Sequence, residues 1–299
     1  MIGWLLDGDP AIRWQALSNL TDAPAGEVAA ERARVEYDGW GARLLALEDP
    51  NGLWDGGACF PASYAGGEPG QPWTATMHTL QTLQLLGLDP ASPSARRAIG
   101  LVAENGRWEH AGQRFFDGEV EPCINGRTIE TGAYFGVDVA AVVERILAER
   151  LADGGWNCEA ENGSVRSSFD TTINVLDGLA EFERAADGSE GVRTARRGGE
   201  EYLLERGLFR RMSTGAVVER RTWSSRSRTT GTTTCCVRWT TSAGLVPLRI
   251  PGWRRRSRSY GPGGSRTAGG CWTASTRAAS TSILRAAWAR QAAGTPSAR

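Results

Sequence analysis

Residues 154–156 read Gly-Gly-Trp, and the same Gly-x-Trp string stands at residues 52–54 and 106–108. The three tryptophans are 54 and 48 residues apart, so the string marks an internal repeat. Each string is followed by a loop rich in Gly, Asn and Pro and then by two segments whose apolar residues recur with helical spacing. Such a unit cannot bury its apolar faces alone, so neighbouring units must stack. The sequence therefore predicts an all-α fold of helix-pair repeats.

The helix boundaries follow from the apolar period and from residues that commonly begin or end helices. Thr74 and Ser168 are expected to cap the starts of first helices, and Gly87 and Gly136 suit left-handed ends. The expected first helices cover residues 74–89, 127–138 and 167–185, and the expected second helices cover 93–104, 139–150 and 192–208.

The charge of the chain is unevenly distributed. The 34 basic residues balance the 34 acidic residues, and every basic residue is Arg. Residues 1–219 hold all of the acids and only 19 arginines, a net charge of −15, whereas residues 220–299 hold 15 arginines and no acid. The negative charge of the first segment argues against nucleic acid and anionic membranes as partners.

Three interpretations fit residues 220–299: a nucleic-acid-binding tail, a disordered low-complexity linker, or a coding sequence read in the wrong frame. We favour the last, because back-translation of residues 265–273 in the shifted frame permits another Gly-x-Trp string. The predicted organisation is then a lead-in of helices over 1–40, a repeat domain over 41–219, and an out-of-frame, disordered tail over 220–299.

The repeat resembles that of squalene/hopene cyclases and protein prenyltransferase β subunits, whose pattern is Gln-x-x-x-Gly-x-Trp with helices on both sides. Glu48, Val102 and Arg150 stand where that pattern has Gln. The chain looks most like small bacterial proteins of the prenyltransferase and squalene oxidase repeat type. The resemblance implies an α/α toroid, here an incomplete one, with inner helices around a cavity and outer helices outside.

The resemblance also implies where ligands bind, because inner helices of such toroids begin at one mouth of the cavity. Exposed amides at helix N-termini favour anionic or polar ligands. Capping and solvation remain the alternative role for each of the polar residues there. The candidate binding residues at this mouth are Thr74, His78, Glu121, Cys123, Asn125, Arg127, Glu130, Cys158, Glu159 and Ser168.

One carboxyl is a candidate catalytic acid. Class II terpene cyclases use an Asp-x-Asp-Asp motif whose acid must be held protonated to donate to an alkene or epoxide. Residues 167–172 read Ser-Ser-Phe-Asp-Thr-Thr, which matches the last Asp of that motif but lacks the middle one. Asp170 is therefore the candidate catalytic residue.

Two cysteines are candidate zinc ligands. Protein prenyltransferases and lanthipeptide cyclases bind zinc through Cys, His or Asp, and three protein ligands leave a position open for substrate. Cys123 and Cys158 lie in equivalent positions of adjacent repeats, just before the expected first helices, and His78 is the nearest histidine. A Cys2His zinc site is one hypothesis, and two ordinary buried cysteines are the alternative.

The function expected from these residues is that of a terpenoid cyclase or prenyltransferase-like enzyme acting on an isoprenoid or other apolar small molecule. The alternatives are a non-catalytic toroid that binds a peptide or protein partner, and a non-functional truncated product. The sequence contains no run of 18 apolar residues, so no membrane span is predicted. No secretory signal is visible at the N-terminus. The sparse cysteines fit a reducing compartment, so a cytoplasmic location is expected.

Overall fold

The computed structural model describes residues 2–65, 74–186, 188–208 and 210–217. These residues form helices and contain no β-strand, which confirms the predicted all-α class. The predicted tail over 220–299 lies outside the described residues. The helices are α1 (Gly3–Leu6), α2 (Pro10–Leu20), α3 (Ala25–Ala33), α4 (Gly39–Leu45), α5 (Thr76–Leu86), α6 (Pro93–Asn105), α7 (Pro122–Phe135), α8 (Ala140–Ala148), α9 (Phe169–Ala186) and α10 (Glu190–Glu205).

The helices α5, α7 and α9 lie side by side and run in the same direction. Gln81 of α5 donates to Glu130 of α7 over 3.4 Å, and further along Tyr134 of α7 donates to the carbonyl of Leu88 over 2.7 Å. Residue 81 pairs with residue 130, and the later residue 88 pairs with the later residue 134, so the two helices are parallel. Likewise, Gly126 of α7 faces Asn174 of α9, and the next residue of α7, Arg127, contacts Asp177 further along α9. These three are the first helices of the predicted repeats, and we call them the inner helices.

The first and third Gly-x-Trp strings connect one helix pair to the next in the same way. The indole of Trp54 donates to the carbonyl of Leu44 over 2.7 Å, ten residues earlier, and its backbone N–H donates to Thr76 at the start of α5 over 3.1 Å. Trp156 repeats both bonds, with the carbonyl of Ile146 over 2.7 Å and with Thr172 over 3.1 Å. We call α4, α6, α8 and α10, which alternate with the inner helices along the chain, the outer helices. Trp54 and Trp156 therefore each fix an outer helix to the following inner helix.

The second string departs from this arrangement. The indole of Trp108 donates to the carbonyl of Phe115 over 2.9 Å and stacks on its ring at 4.7 Å. Both side chains are fully buried. Trp108 therefore holds its own following loop rather than the preceding outer helix.

Two glycines allow α7 and α9 to pack closely. A Cβ built on Gly126 would lie 2.5 Å from the carbonyl oxygen of Asn174, and one on Gly178 would overlap the carbonyl oxygen of Gly126. Backbone atoms cannot move away as a flexible side chain can. Only glycine fits at these two positions.

The lead-in helices dock against the end of α5. Asp9 caps α2 by accepting from the N–H of Ala11 over 2.9 Å, as its position before Pro10 predicts. Trp14 of α2 donates to the carbonyl of Leu86 over 2.8 Å, and Arg32 of α3 donates to that of Gly87 over 2.8 Å. These two side chains donate hydrogen bonds to carbonyls that the end of a helix leaves without partners.

The predicted helix boundaries are correct in part. The ends expected at residues 89, 138 and 208 each lie three residues beyond the observed ends of α5, α7 and α10. Gly87 and Gly136 end α5 and α7 in the left-handed conformation, as predicted. Thr74 does not cap α5, because Ala75 occupies the N-cap position. The expected start of the second inner helix at residue 127 is also wrong, since α7 begins at Pro122, whose fixed φ suits the first position of a helix.

Among the described residues, no helix is both long enough and apolar enough to cross a lipid bilayer.

The glycine contact between the inner helices makes a stability prediction. Gly178→Ala is expected to lower the free energy of unfolding by about 1–3 kcal/mol, because the new methyl group overlaps backbone of α7. Gly100→Ala is the matched control, since Gly100 is an exposed position of α6 with open space around its Cβ. It should raise stability by up to about 1 kcal/mol through helix propensity. Urea unfolding measures both, and equal effects of the two substitutions would contradict the close packing.

Candidate metal centre

Three predicted site residues converge at one end of the inner helices. Glu121 and Cys123 flank Pro122 at the start of α7, and Cys158 lies in the loop that follows Trp156. One carboxylate oxygen and the two sulfur atoms all lie within 4.8 Å of one another. All three residues are partly buried. The two cysteines that the sequence places in equivalent loops are therefore neighbours in space.

Local structure explains why Glu121 and Cys123 reach this point. The side-chain amide of Asn125 bonds both backbone groups of Glu119, accepting from its N–H and donating to its carbonyl over 2.7 Å each. The N–H of Glu121 in turn donates to the carboxylate of Glu119 over 2.6 Å. These bonds fix the backbone immediately before Pro122. The helix then begins early enough to include Cys123 in its first turn.

The loop that carries Cys158 is also held by side chains. Cys158 opens a short 3₁₀ turn over Cys158–Ala160. Asn157 caps this turn by accepting from the N–H of Glu159 over 3.0 Å, and its amide donates to the carbonyl of Arg166 over 2.6 Å. The loop thereby closes back toward the start of α9.

The two thiols have different electrostatic environments. Hydrogen bonding with Cys158, followed by burial, raises the pKa of Cys123, and Glu121, to whose carboxylate its sulfur donates over 3.2 Å, raises it further. Hydrogen bonding with Cys123 lowers the pKa of Cys158, and the hydroxyl of Thr171, 3.4 Å away, contributes in the same direction. Cys158 is therefore the thiol of the pair that loses its proton more readily.

These donor atoms fit zinc. Thiolates and carboxylates are among the ligands that zinc prefers, and three protein ligands leave one tetrahedral position open. The donor atoms all lie within 4.8 Å of one another, close enough to share one ion. Glu121, Cys123 and Cys158 would be the ligands.

The structure does not place the histidine of the hypothesised Cys2His site beside the two sulfur atoms. His78 does not belong to this group of ligand atoms, and Glu121 stands in its place. His78 lies beside Arg127 instead, and burial together with that positive charge lowers its pKa to about 4. Its position on α5, one helix away from the loop of Cys158, accounts for the difference.

A second polar group lies along the inner helices. The guanidinium of Arg127 contacts the carboxylates of Glu130 at 2.8 Å and Asp177 at 3.8 Å. Gln81 also donates to Glu130. Three inner helices thus contribute to one network of charged and polar side chains. We call Gln81, Arg127, Glu130 and Asp177 the inner polar network.

The remaining predicted residues have structural roles or lie on the surface. Asn125 is fully buried in its bonds to Glu119, and Ser168 caps α9 by accepting from the N–H of Thr171 over 3.3 Å. Thr74 and Glu159 are exposed, and Glu159 accepts from Asn162 over 3.0 Å. For Asn125 and Ser168 the structural role is sufficient explanation.

Asp170 does not belong to the group of candidate metal ligands. It occupies the first turn of α9, and its side chain is exposed. Proton donation to an alkene requires a carboxyl that is shielded from water. The exposure does not favour this role, which stays a prediction.

The described residues also line a cavity of about 410 Å³ on the outer helices. It lies between α8 and α10 and contains none of the predicted site residues. Its lining is formed by Leu147, Arg150, Glu190, Gly191, Thr194 and Ala195.

Three residues of these groups were missed by sequence reasoning, and one of them is Gln81, which donates to Glu130. Thr171 contacts Cys158, and Asp177 contacts Arg127. A signal for both was present in Gly126 and Gly178, because glycine inside a helix indicates a close backbone approach. That signal would have placed α7 directly against α9.

Comparisons with known proteins leave the family assignment as a prediction. No protein-family model, no curated protein and no solved structure matches the chain. The function must therefore be argued from the geometry.

The environment of His78 makes a pH prediction. Its pKa of about 4 lies below its ordinary value of 6.5, so between these values the unfolded chain binds a proton that the folded chain does not. The free energy of unfolding that neutral His78 contributes is fully present above pH 6.5 and is lost as the pH falls toward 4. NMR titration should give a midpoint near 4 for one of the two histidines.

His78→Gln should remove that resonance and reduce the loss of stability between pH 7 and pH 5, measured by urea unfolding. His110→Gln is the control, because His110 is exposed. A midpoint near 6.5 for His78 would contradict its burial.

Proposed function

We propose that the chain is a zinc-dependent enzyme of the prenyltransferase-like class, which joins an isoprenoid or other apolar group to a thiol. The observation that carries this proposal is the convergence of Glu121, Cys123 and Cys158 within 4.8 Å. The parallel inner helices support the second element of the proposal, in which helix pairs close into an α/α toroid. The metal centre would then lie at the mouth of its cavity.

The donor set favours thiol chemistry over hydrolysis. Two thiolates and one carboxylate outweigh the charge of Zn²⁺, so the centre would carry a net negative charge. Such a centre is a poor electrophile. Bound zinc would supply a lowered pKa for a substrate thiol in the open position, which makes its sulfur nucleophilic at neutral pH.

The residues of the chain hold the donor atoms in place for that role. The hydroxyl of Thr171 contacts the sulfur of Cys158, and the first turn of α7 carries Cys123. Unpaired N–H groups in a first helical turn stabilise negative charge. These features preorganise a centre whose ligand atoms carry negative charge.

A non-catalytic toroid that binds a peptide remains the second candidate. The inner polar network favours it, because Arg127, Glu130 and Asp177 would suit a polar or charged ligand better than a hydrocarbon. A peptide that carries the reacting thiol would satisfy both observations. The two candidates differ in whether a covalent product forms.

Zinc binding is the first test. The full chain, reduced and freed of metal, is expected to bind about one equivalent of zinc in equilibrium dialysis with elemental analysis. Cys123→Ser and Cys158→Ser should each weaken zinc binding by about tenfold or more, because each removes a ligand.

Matched substitutions are the controls for zinc binding. Cys59→Ser changes a cysteine that lies outside the candidate centre, and Glu159→Gln changes a nearby exposed carboxylate. Neither should alter the stoichiometry, whereas Glu121→Gln should weaken binding. The absence of bound zinc, or equal losses in the controls, would refute the metal centre.

Catalysis is tested with the zinc-loaded chain, farnesyl or geranylgeranyl diphosphate, and a peptide that contains one cysteine. The expected product is a thioether, detected by mass spectrometry, and Cys158→Ser should abolish it. Glu159→Gln should retain it. Zinc binding with peptide binding but no thioether would favour the non-catalytic candidate.

A further inference from the structure

The two candidate metal ligands that contain sulfur are also close enough to react with each other. The sulfur atoms of Cys123 and Cys158 lie within 4.8 Å, and both residues are free thiols. They belong to different elements, the first turn of α7 and the loop after Trp156, and they are 35 positions apart in the sequence. A covalent bond between them would connect two neighbouring repeats.

We propose that Cys123 and Cys158 form a reversible disulfide in the metal-free protein, with a hydroperoxide as the oxidant. The two thiols lose two electrons and two protons and form one S–S bond. The hydroperoxide accepts both electrons and both protons, its O–O bond breaks, and one alcohol and one water leave; hydrogen peroxide gives two waters. A small dithiol reverses the step by thiol–disulfide exchange.

The local structure permits this bond. A disulfide requires its sulfur atoms to approach to about 2.05 Å, which demands a movement of at least one residue. Cys158 is partly exposed in a short 3₁₀ turn of a surface loop, so the loop can supply that movement. Cys123 is partly buried in a regular helix and is the more fixed partner.

The disulfide would regulate the proposed metal centre, and this part of the inference rests on the proposed function. Oxidation removes two of the three candidate ligands, since a disulfide sulfur is a poor ligand for zinc. Zinc and the disulfide therefore exclude each other. Formation of the disulfide itself needs no metal.

The experiment uses the full chain with Cys235, Cys236 and Cys271 replaced by Ser, so that thiols outside the described residues cannot exchange with the pair. Metal-free and zinc-loaded samples are treated with hydrogen peroxide, alkylated and digested with trypsin without reduction. Cleavage after Arg places Cys123 in the peptide 115–127 and Cys158 in the peptide 151–166. Their linked form is about 2 Da lighter than the sum of the two peptides.

The expected result is the linked peptide in the metal-free sample, its loss after treatment with dithiothreitol, and formation about tenfold slower when zinc is bound. Cys59→Ser should leave the yield unchanged. Cys123→Ser and Cys158→Ser should each eliminate the linked peptide. A urea-unfolded sample should show no preference for this pair over pairs with Cys59.

The outcomes separate this inference from the proposed function. Separately alkylated or overoxidised Cys123 and Cys158, with no linked peptide, would overturn the disulfide even if one equivalent of zinc binds. A linked peptide in a protein that binds no zinc would support the disulfide and refute the metal centre. Equal rates with and without bound zinc would overturn the regulatory part.

Discussion

The close contact of α7 and α9 is the constraint on which the candidate centre depends. It requires glycine at positions 126 and 178, where a side chain would overlap the backbone of the facing helix. Because the two helices run in the same direction, this contact also aligns their first turns. Cys123 then lies beside the loop of Cys158 and beside Thr171. The separation between two helix axes thus decides whether two distant cysteines become one site.

The Gly-x-Trp strings explain why the centre lies in the middle of the described repeats. Trp54 and Trp156 each connect an outer helix to the next inner helix, whereas Trp108 bonds the loop that follows it. That loop continues into the turn where Asn125 pairs with Glu119, and α7 begins directly after it. The exception among three similar units is therefore the one that carries Glu121 and Cys123. The third unit, which keeps the regular arrangement at Trp156, carries Cys158.

Much of the scaffold could be predicted from the chain alone, but the composition of the site could not. The equivalent positions of Cys123 and Cys158 indicated a shared location, and the structure brings them together. The same reasoning named His78 as the third candidate ligand, whereas the structure places Glu121 beside the two sulfur atoms. Position in a repeat does not give the direction of a side chain around its helix. Asn125 was expected to bind a ligand and instead holds a backbone turn. Polar residues near a helix start serve caps and turns as readily as ligands.

The sequence by itself determined the all-α class, the repeat, the left-handed ends at Gly87 and Gly136, and the pair of cysteines. These features follow from local periodicity and from the conformational preferences of single residues. Only the tertiary structure decided that Glu121 rather than His78 joins the two sulfurs, and that Asp177 meets Arg127. Those choices depend on the spacing and rotation of three neighbouring helices. Spacing and rotation are set by packing between segments far apart in the chain, which no local pattern specifies.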